Sequence, residues 1–312
     1  MKDFLLKIKK QNLLFFIPIF LLVLLLALYL VDNDLKRQIN SKKINIPPFS
    51  VNSSSFPVLT SASESSKLNI SAKAYVILDN DSKVILSSKN PNLRFSMAST
   101  TKIMTALTAL NFYKMSDILT IKTNDVEGEV LELKKDDRFL FEELLYAMLL
   151  PSANDAALAI AQNYPGGEKA FVEKMNENAK NFHLSNTHFA DPAGLEDDED
   201  YTTVIELARL SSIALKNKEF AKIVSTKHKS ISNIDKTKSY PLDNLNILLG
   251  KDGVNGIKTG FTQEAGGVLV TSKIKDGHNL IIVVMKSQDR FFDTQELLSL
   301  IDGNLKFLNF NY

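Results

Sequence analysis

Strand patterns lie at both ends of the region 72–312, and helical patterns fill its middle. Apolar and β-branched residues occupy 72–79 and 83–88 around a turn of Asn and Asp, which predicts a β-hairpin. The pattern returns at 266–274 and 279–286 around an Asp-Gly turn. Helical periodicity occurs at 101–111, 141–150, 155–162, 170–180 and 293–301. We therefore expect an α/β fold in which helices are inserted between strands from the two ends.

Composition excludes several classes of function. The 37 Lys and Arg residues balance 36 Asp and Glu residues, so no basic field is available to hold nucleic acid. The absence of Cys removes thiolate metal sites, disulfides and cysteine nucleophiles. The four histidines show no metal-ligand spacing, and the acidic stretch 196–200 matches no calcium-loop template. We expect no nucleic-acid partner, no metal and no cofactor.

An apolar segment precedes the folded region. Residues 13–31 carry no charge, and at about 1.5 Å per residue a helix of this length spans a bilayer core of about 30 Å. Lysines concentrate in 1–12, so the positive-inside rule predicts a cytoplasmic tail there. A cleaved signal peptide is the alternative, but the run exceeds the usual apolar region of about 7–15 residues. The prediction is a single-pass transmembrane anchor with the remaining chain outside the cytoplasm.

Ser, Asn and Pro dominate residues 32–68, and no apolar period is sustained there. Such composition is typical of a flexible linker. The predicted folded domain then covers 69–312.

The first of three short motifs is Ser99 with Lys102, at the start of a helical pattern. Their i, i+3 spacing places the hydroxyl and the amine on one helix face, at the positive end of the helix dipole. A Lys102 kept neutral by burial could accept the Ser99 proton and make the serine a nucleophile. Taken alone, the pattern is more often a helix N-cap beside a solvated lysine.

The other two motifs are Ser152 with Asn154, and Lys258 with Thr259 and Gly260. The first follows a proline between two helical patterns, where its hydroxyl and amide could relay a proton and bind a substrate amide. The second suits an edge strand that binds an extended peptide ending in a carboxylate, with Gly260 allowing close approach. Helix capping and an ordinary glycine turn are the structural alternatives.

The order and spacing of the three motifs resemble those of penicillin-binding proteins and class A β-lactamases. Over about 72–308 the chain resembles the low-molecular-mass D-alanyl-D-alanine carboxypeptidases, which are serine peptidases of the penicillin-binding type. Further blocks that carry this resemblance lie at 76–86, 96–106, 149–157, 186–195 and 252–262. The resemblance implies a penicillin-binding/β-lactamase-like fold, with an antiparallel sheet built from both chain ends and an inserted helical subdomain.

The same resemblance implies the catalytic roles. Ser99 would be the acylated nucleophile, Lys102 its general base and Ser152 a proton relay. Asn154 would bind substrate and orient Lys102. Backbone N–H groups of Ser99 and Phe261 would form the oxyanion hole, in which one donor is worth roughly 3–4 kcal/mol.

Binding of the substrate's terminal carboxylate is implied for a second group of residues. Lys258 and Thr259 would contact it, with Gly260 beside them on the same strand. Arg290 resembles a second carboxylate-binding residue, although an arginine at a helix start is often only a solvated or salt-bridged group.

These residues predict a bacterial, membrane-anchored D,D-carboxypeptidase. It would remove the terminal D-Ala from peptidoglycan stem peptides and be acylated by β-lactam antibiotics. A D,D-endopeptidase acting on cross-links, a class A-like β-lactamase and a non-catalytic cell-wall-binding module are the alternatives. The intact motifs weigh against the binding module. A β-lactamase is disfavoured because 186–195 contains Asp191 as its only carboxylate and lacks the segment that carries the deacylating glutamate.

Overall fold

The computed structural model describes residues 25–26, 29, 55–60, 68–196 and 198–309. The chain divides into two compact units, Met1–Asn45 and Ile46–Tyr312. In the first unit, Leu25, Leu26 and Tyr29 are helical and exposed.

Eleven strands and seven α-helices are found among the described residues of the second unit. The strands are β1 (Ser55–Leu59), β2 (Ala74–Asp79), β3 (Ile85–Lys89), β4 (Ile118–Thr120), β5 (Arg138–Leu140), β6 (His228–Ser232), β7 (Ser239–Asp243), β8 (Val254–Thr262), β9 (Gly266–Lys275), β10 (His278–Ser287) and β11 (Leu305–Asn309). The helices are α1 (Lys102–Leu110), α2 (Phe141–Leu149), α3 (Asn154–Asn163), α4 (Gly167–Asn181), α5 (Val204–Ala214), α6 (Lys218–Val224) and α7 (Arg290–Asn304). A 3₁₀ turn, Ala98–Thr101, leads into α1.

The central sheet joins the two ends of the domain. Its strands run in the order β3-β2-β10-β9-β8, and every neighbouring pair is antiparallel. The hairpins β2–β3 and β9–β10 confirm the two hairpins predicted from the sequence. Strand β8 lies at an edge, so one side of its backbone has no neighbouring strand in this sheet.

Both faces of the sheet are covered. Along β2, Ile77 belongs to a buried cluster that also contains Leu297 of α7. The alternate residues Val76 and Leu78 point to the opposite face, where they line a groove with Ala208 of α5. Because side chains on both faces are covered, β2 is buried at all six positions, and its first five residues are apolar.

Helix α1 lies at the centre of the inserted helical part. It contacts α2, α3, α4 and α5, and all but its last residue are buried. A helix with such apolar surroundings holds its first residue, Lys102, away from solvent.

Several elements of the middle region had no sequence prediction. Hairpins β4–β5 and β6–β7 are too short or too polar for a recognisable alternation, and Ile231 is the one buried apolar residue of β6. Helix α5 carries a signal that could have found it. The Thr203 side chain accepts a hydrogen bond from the Glu206 N–H at 3.2 Å, which is half of the Thr-x-x-Glu capping box.

The predicted linker over 32–68 is wrong at residues 55–60. Ser55–Leu59 forms β1, which pairs antiparallel with β11, and the Thr60 N–H donates to the Asn304 carbonyl at 2.9 Å. Leu59 packs against the same buried cluster as α7. This pairing joins segments about 250 residues apart, so no local pattern could indicate it.

The predicted transmembrane segment 13–31 lies outside the described residues at all but three positions. Within the part of the chain that the structure describes, no helix is long and apolar enough to cross a bilayer. The anchor and the cytoplasmic tail 1–12 remain predictions.

The pairing of β1 with β11 predicts a boundary for truncation. Removing residues 1–40 should leave a folded, active domain with an unchanged free energy of unfolding. Removing residues 1–60 should lower that free energy by about 2 kcal/mol, because the partly buried apolar side chains of β1 are lost. Urea unfolding of the two truncated proteins tests this, and equal stabilities would contradict the contribution of β1.

Candidate active site

Ser99 and Lys102 meet at the start of α1. Ser99 lies within the 3₁₀ turn and is half-buried, whereas Lys102 is the first residue of the α-helix and is fully buried. The Lys102 Nζ is 2.9 Å from the Ser99 Oγ. The predicted contact between the two side chains is confirmed. The N-cap position itself belongs to Met97 for the turn and to Thr101 for the helix, because a turn of 3₁₀ helix precedes the regular helix.

Two carbonyl oxygens complete the surroundings of the Lys102 amine. Its Nζ donates to the Asn154 Oδ1 at 2.8 Å and to the Ala193 carbonyl at 2.8 Å. Both oxygens are acceptors only. When the amine is neutral, its two N–H groups are therefore used by these oxygens, and its lone pair is left for the Ser99 hydroxyl.

The electrostatics of the site favour a neutral Lys102. Burial lowers the pKa of Lys102 to about 7, although Asp191, Asp200, Glu129 and Asp155 act to raise it. Desolvation penalises the charged amine, and here its effect exceeds that of the four carboxylates. Lys102 can therefore exist as a base near neutral pH.

Ser152 and Asn154 come from the connection between α2 and α3. Ser152 has a positive φ of 70°, and Asn154 is the first residue of α3. The Asn154 Nδ2 donates to the Glu127 carbonyl at 2.7 Å. A Cβ at Gly128 would lie 2.7 Å from this same Nδ2, so glycine permits the contact. The Asn154 amide is thus held with its oxygen on Lys102.

Lys258 approaches from the edge strand β8. Its Nζ donates to the Ser152 Oγ at 2.9 Å and to the carbonyl of Thr259 at 3.0 Å. Burial, reinforced by the charges of Lys102 and Arg290, holds the pKa of Lys258 well below its usual range. The structure therefore brings the three motifs together, with Ser152 contacting one lysine while Asn154 contacts the other.

Gly260 lets β8 pack against the turn that carries Ser99. A Cβ at Gly260 would lie 3.2 Å from both the Ser99 nitrogen and the Met97 carbonyl oxygen, which is closer than side chains normally pack. The next residue, Phe261, is 57% exposed. The edge strand thus borders Ser99 with backbone rather than with side chains.

Arg290, the first residue of α7, lies beside this end of β8. Its guanidinium carbon is 6.0 Å from the centre of the Phe261 ring and 4.9 Å from that of Phe291. The Arg290 Nε is buried and has no hydrogen-bond partner among the described residues. The positive charge of Arg290 also helps to lower the pKa of Lys258.

Sequence reasoning missed the backbone groups of the site. The Ala193 carbonyl and the Glu127 carbonyl are as close to the site as any predicted side chain. A carbonyl is common to every residue, so its identity carries no signal. The sequence around Asp191, with Pro192 and Gly194, does carry a turn signal.

One group of possible metal ligands occurs among the described residues. Asp79, Asp81 and His278 place one ligand atom each within 4.8 Å of one another. The Asp79 Oδ1 is 3.3 Å from the His278 Nδ1, and the Asp81 Oδ2 accepts the Asn279 N–H at 2.9 Å. Through these contacts, the three side chains form a polar network that joins the β2–β3 turn to the β9–β10 turn.

Comparison with known proteins identifies the family. The family model described as D-alanyl-D-alanine carboxypeptidase matches residues 60–289. The chain belongs to the D-alanyl-D-alanine carboxypeptidase family. The family and the enzyme class predicted from the sequence are thereby confirmed.

Individual members of the family show the extent of the similarity. A D-alanyl-D-alanine carboxypeptidase of Bacillus subtilis is 33% identical over 70% of this chain and 58% of its own length. A D-alanyl-D-alanine endopeptidase of Escherichia coli is 28% identical over 74% of this chain and 76% of its own length. The crystal structure of the Streptomyces K15 DD-transpeptidase superposes with a TM-score of 0.71, at 31% identity, over 75% of this chain and 98% of that one. The predicted penicillin-binding fold is thereby confirmed for the folded region.

The close packing of Gly194 against the turn that carries Ser99 predicts that a side chain at this position would disturb the site. Gly194 has a φ of +82°, and a Cβ there would overlap the Ala98 carbonyl and lie 2.8 Å from the Thr101 Oγ1. Gly194→Ala should therefore displace the turn that carries Ser99, and both the acylation rate and the melting temperature should fall.

Gly167→Ala is the matched control, because Gly167 has a φ of +73° and no atom within 4 Å of a Cβ. It should lose only about 1 kcal/mol to backbone strain and keep full activity. Acylation rates and thermal unfolding of both variants test this. Equal effects of the two substitutions would show that contact with Ala98 is unimportant.

Proposed function

We propose that this chain is a serine carboxypeptidase that removes the terminal D-Ala from peptidoglycan stem peptides through an acyl-enzyme on Ser99. The observation that carries the proposal is the environment of Lys102. Its amine is buried, with two acceptor oxygens at 2.8 Å and the Ser99 hydroxyl at 2.9 Å. This arrangement directs a basic lone pair at a single hydroxyl.

In the acylation step, the Ser99 Oγ attacks the carbonyl carbon between the two D-Ala residues, and its proton passes to the Lys102 Nζ. The carbonyl oxygen becomes an oxyanion, for which we assign the backbone N–H groups of Ser99 and Phe261. The close packing of Gly260 on the Ser99 turn supports this assignment, because it brings the β8 backbone beside Ser99.

The leaving D-Ala needs a proton on its nitrogen. We assign this transfer to Ser152, whose oxygen already accepts a hydrogen bond from Lys258. That bond leaves the Ser152 O–H free to point at the leaving nitrogen, and the C–N bond breaks as the proton arrives. The proton that Lys102 took from Ser99 then passes on to Ser152 and replaces the one given to the leaving nitrogen, so both groups return to their starting state.

The terminal carboxylate of the substrate is assigned to Lys258, Thr259 and Arg290. Lys258 has no carboxylate partner in a salt bridge among the described residues, and the buried Arg290 Nε has no hydrogen-bond partner there. A bound carboxylate would supply the opposite charge that favours the protonated form of Lys258. Substrates with a free carboxyl end are therefore preferred.

Deacylation separates this proposal from a β-lactamase. The Asp191 carboxylate accepts N–H bonds from four residues of its own turn, 193–196. With its oxygens used in this way, Asp191 is not placed to deprotonate a water. Hydrolysis of a penicilloyl ester should be slow, whereas departure of D-Ala leaves room for water.

Two further features of the proposal come from other observations. The lysine-rich tail before the apolar segment 13–31 supports a single-pass bacterial membrane protein with the enzyme outside the cytoplasm. The endopeptidase name of the Escherichia coli relative supports cleavage of cross-linked peptides as a second candidate. Parallel assays on cross-linked and uncross-linked muropeptides distinguish the two substrates.

The proposal predicts one stable penicilloyl group on Ser99. Intact-mass analysis after incubation with penicillin should show a single adduct, and Ser99→Ala should show none. Release of D-Ala from a D-Ala-D-Ala peptide should greatly exceed hydrolysis of nitrocefin. Rapid nitrocefin turnover without D-Ala release would overturn the carboxypeptidase proposal in favour of a β-lactamase.

The pKa of Lys102 predicts a pH dependence. Because this pKa is about 7, acylation by penicillin should decline as the pH falls through about 7 and the base becomes protonated. Lys102→Arg should abolish acylation at every pH, since guanidinium is not a base. Stopped-flow or quenched acylation rates from pH 5 to 9 test this. A flat profile, or an active Lys102→Arg variant, would assign the base to another group.

A further inference from the structure

The turn formed by residues 191–196, here called the Asp191 turn, is docked on helix α1 by two consecutive carbonyls. The Thr105 hydroxyl donates to the Pro192 carbonyl at 2.6 Å, and the Lys102 amine donates to the Ala193 carbonyl at 2.8 Å. Thr105 and Lys102 are three residues apart and share one helix face. The position of the Asp191 turn therefore decides where an acceptor of the catalytic amine lies.

The turn is closed by one carboxylate. The Asp191 Oδ1 accepts the N–H groups of Ala193 at 2.5 Å and Gly194 at 2.7 Å. Its Oδ2 accepts those of Leu195 at 2.7 Å and Glu196 at 2.9 Å. Four successive N–H groups converge on Asp191, and a neutral amide, with a single acceptor oxygen, could not satisfy all of them.

The carboxylate also acts on Lys102 through its charge. The titratable groups that face Lys102 are Asp191 and Asp200 near the turn, Asp155 on α3, Glu129 between β4 and β5, and Lys258 on β8. Asp191 is the strongest of the four carboxylates in raising the pKa of Lys102 against the effect of burial. Burial opposes ionisation of Asp191 itself, but its N–H partners and a side-chain hydrogen bond with Asp200 outweigh this and lower its pKa. The carboxylate is therefore ionised at the pH at which the enzyme works.

We propose that Asp191 is a positioning residue of this enzyme: its carboxylate closes the turn that presents the Ala193 carbonyl to the Lys102 amine. One N–H of the amine is thereby held, and its lone pair is turned toward Ser99. The inference rests on the proposed function, in which Lys102 is the base. Asp191 never contacts the substrate, and it acts through the geometry and the charge around Lys102.

The test compares Asp191→Asn with the wild-type enzyme by the rate of Ser99 acylation with penicillin. The rate should fall about 10- to 100-fold, the range expected when a catalytic group is displaced by about 1 Å. The acid limb of the pH profile should move to lower pH, because loss of the negative charge lowers the pKa of Lys102. A variant that merely loosened the fold would be slower with the limb unmoved.

Two companion variants complete the experiment. Asp79→Asn removes another buried carboxylate that accepts a turn N–H, that of Ser82 at 2.9 Å, and should leave the acylation rate and its pH profile at wild-type values. Asp191→Glu keeps the charge but displaces it, so acylation should be slower with the acid limb at the wild-type pH. If Asp191→Asn fails to fold, the acylation rate and the pH profile of Asp191→Glu decide whether Asp191 has the proposed role.

The outcomes separate the inference from the function on which it rests. Wild-type protein that penicillin does not acylate would overturn the proposed function, whatever the variants do. If the wild-type protein is acylated, three results would overturn the role of Asp191. The first is an Asp191→Asn variant that is acylated as fast as the wild type, and the second is a slow Asp191→Asn variant whose acid limb is unmoved. The third is an Asp191→Glu variant that is acylated as fast as the wild type.

Discussion

The site depends on one buried amine. Lys102 is inaccessible to solvent, and a buried lysine is tolerated only when its polar hydrogens are satisfied and its charge is suppressed or compensated. The chain meets this demand from three directions, with the Ser99 hydroxyl, the Asn154 amide oxygen and the Ala193 carbonyl. Each of these three partners comes from a different segment, so the amine determines how the 3₁₀ turn, helix α3 and the Asp191 turn fit together.

The second lysine depends on the same assembly. Lys258 is buried on the edge strand β8, and its pKa is lowered by burial and by the two cations Lys102 and Arg290. Ser152 contacts Lys258, and Asn154 contacts Lys102, so the short stretch that leads into α3 contacts both amines. Two amines this close favour a site in which at least one is neutral, and a bound carboxylate would then favour charge on the other.

The central sheet provides the rigid support for this arrangement. Its inner strands are covered on both faces, by α7 on one side and α5 on the other, whereas β8 is left at the edge. An edge strand can approach the Ser99 turn with its backbone, and Gly260 removes the side chain that would prevent contact. The same open edge is suited to an extended peptide that adds as a further strand.

The sequence by itself determined the elements and residues whose signals are local. The two hairpins of the sheet, most of the helices and all three motifs of the site follow from periodicity, turn residues and motif order, because neighbouring side chains encode them. Tertiary structure alone decided the pairing of β1 with β11, the convergence of Ala193 and Glu127 carbonyls on the site, and the role of Asp191 in closing a turn. Strand pairs between distant segments and contacts of backbone carbonyls leave no mark on residue identity. Likewise, the lowered pKa of Lys102 comes from burial by helices far away in the chain, which no spacing between Ser99 and Lys102 could predict.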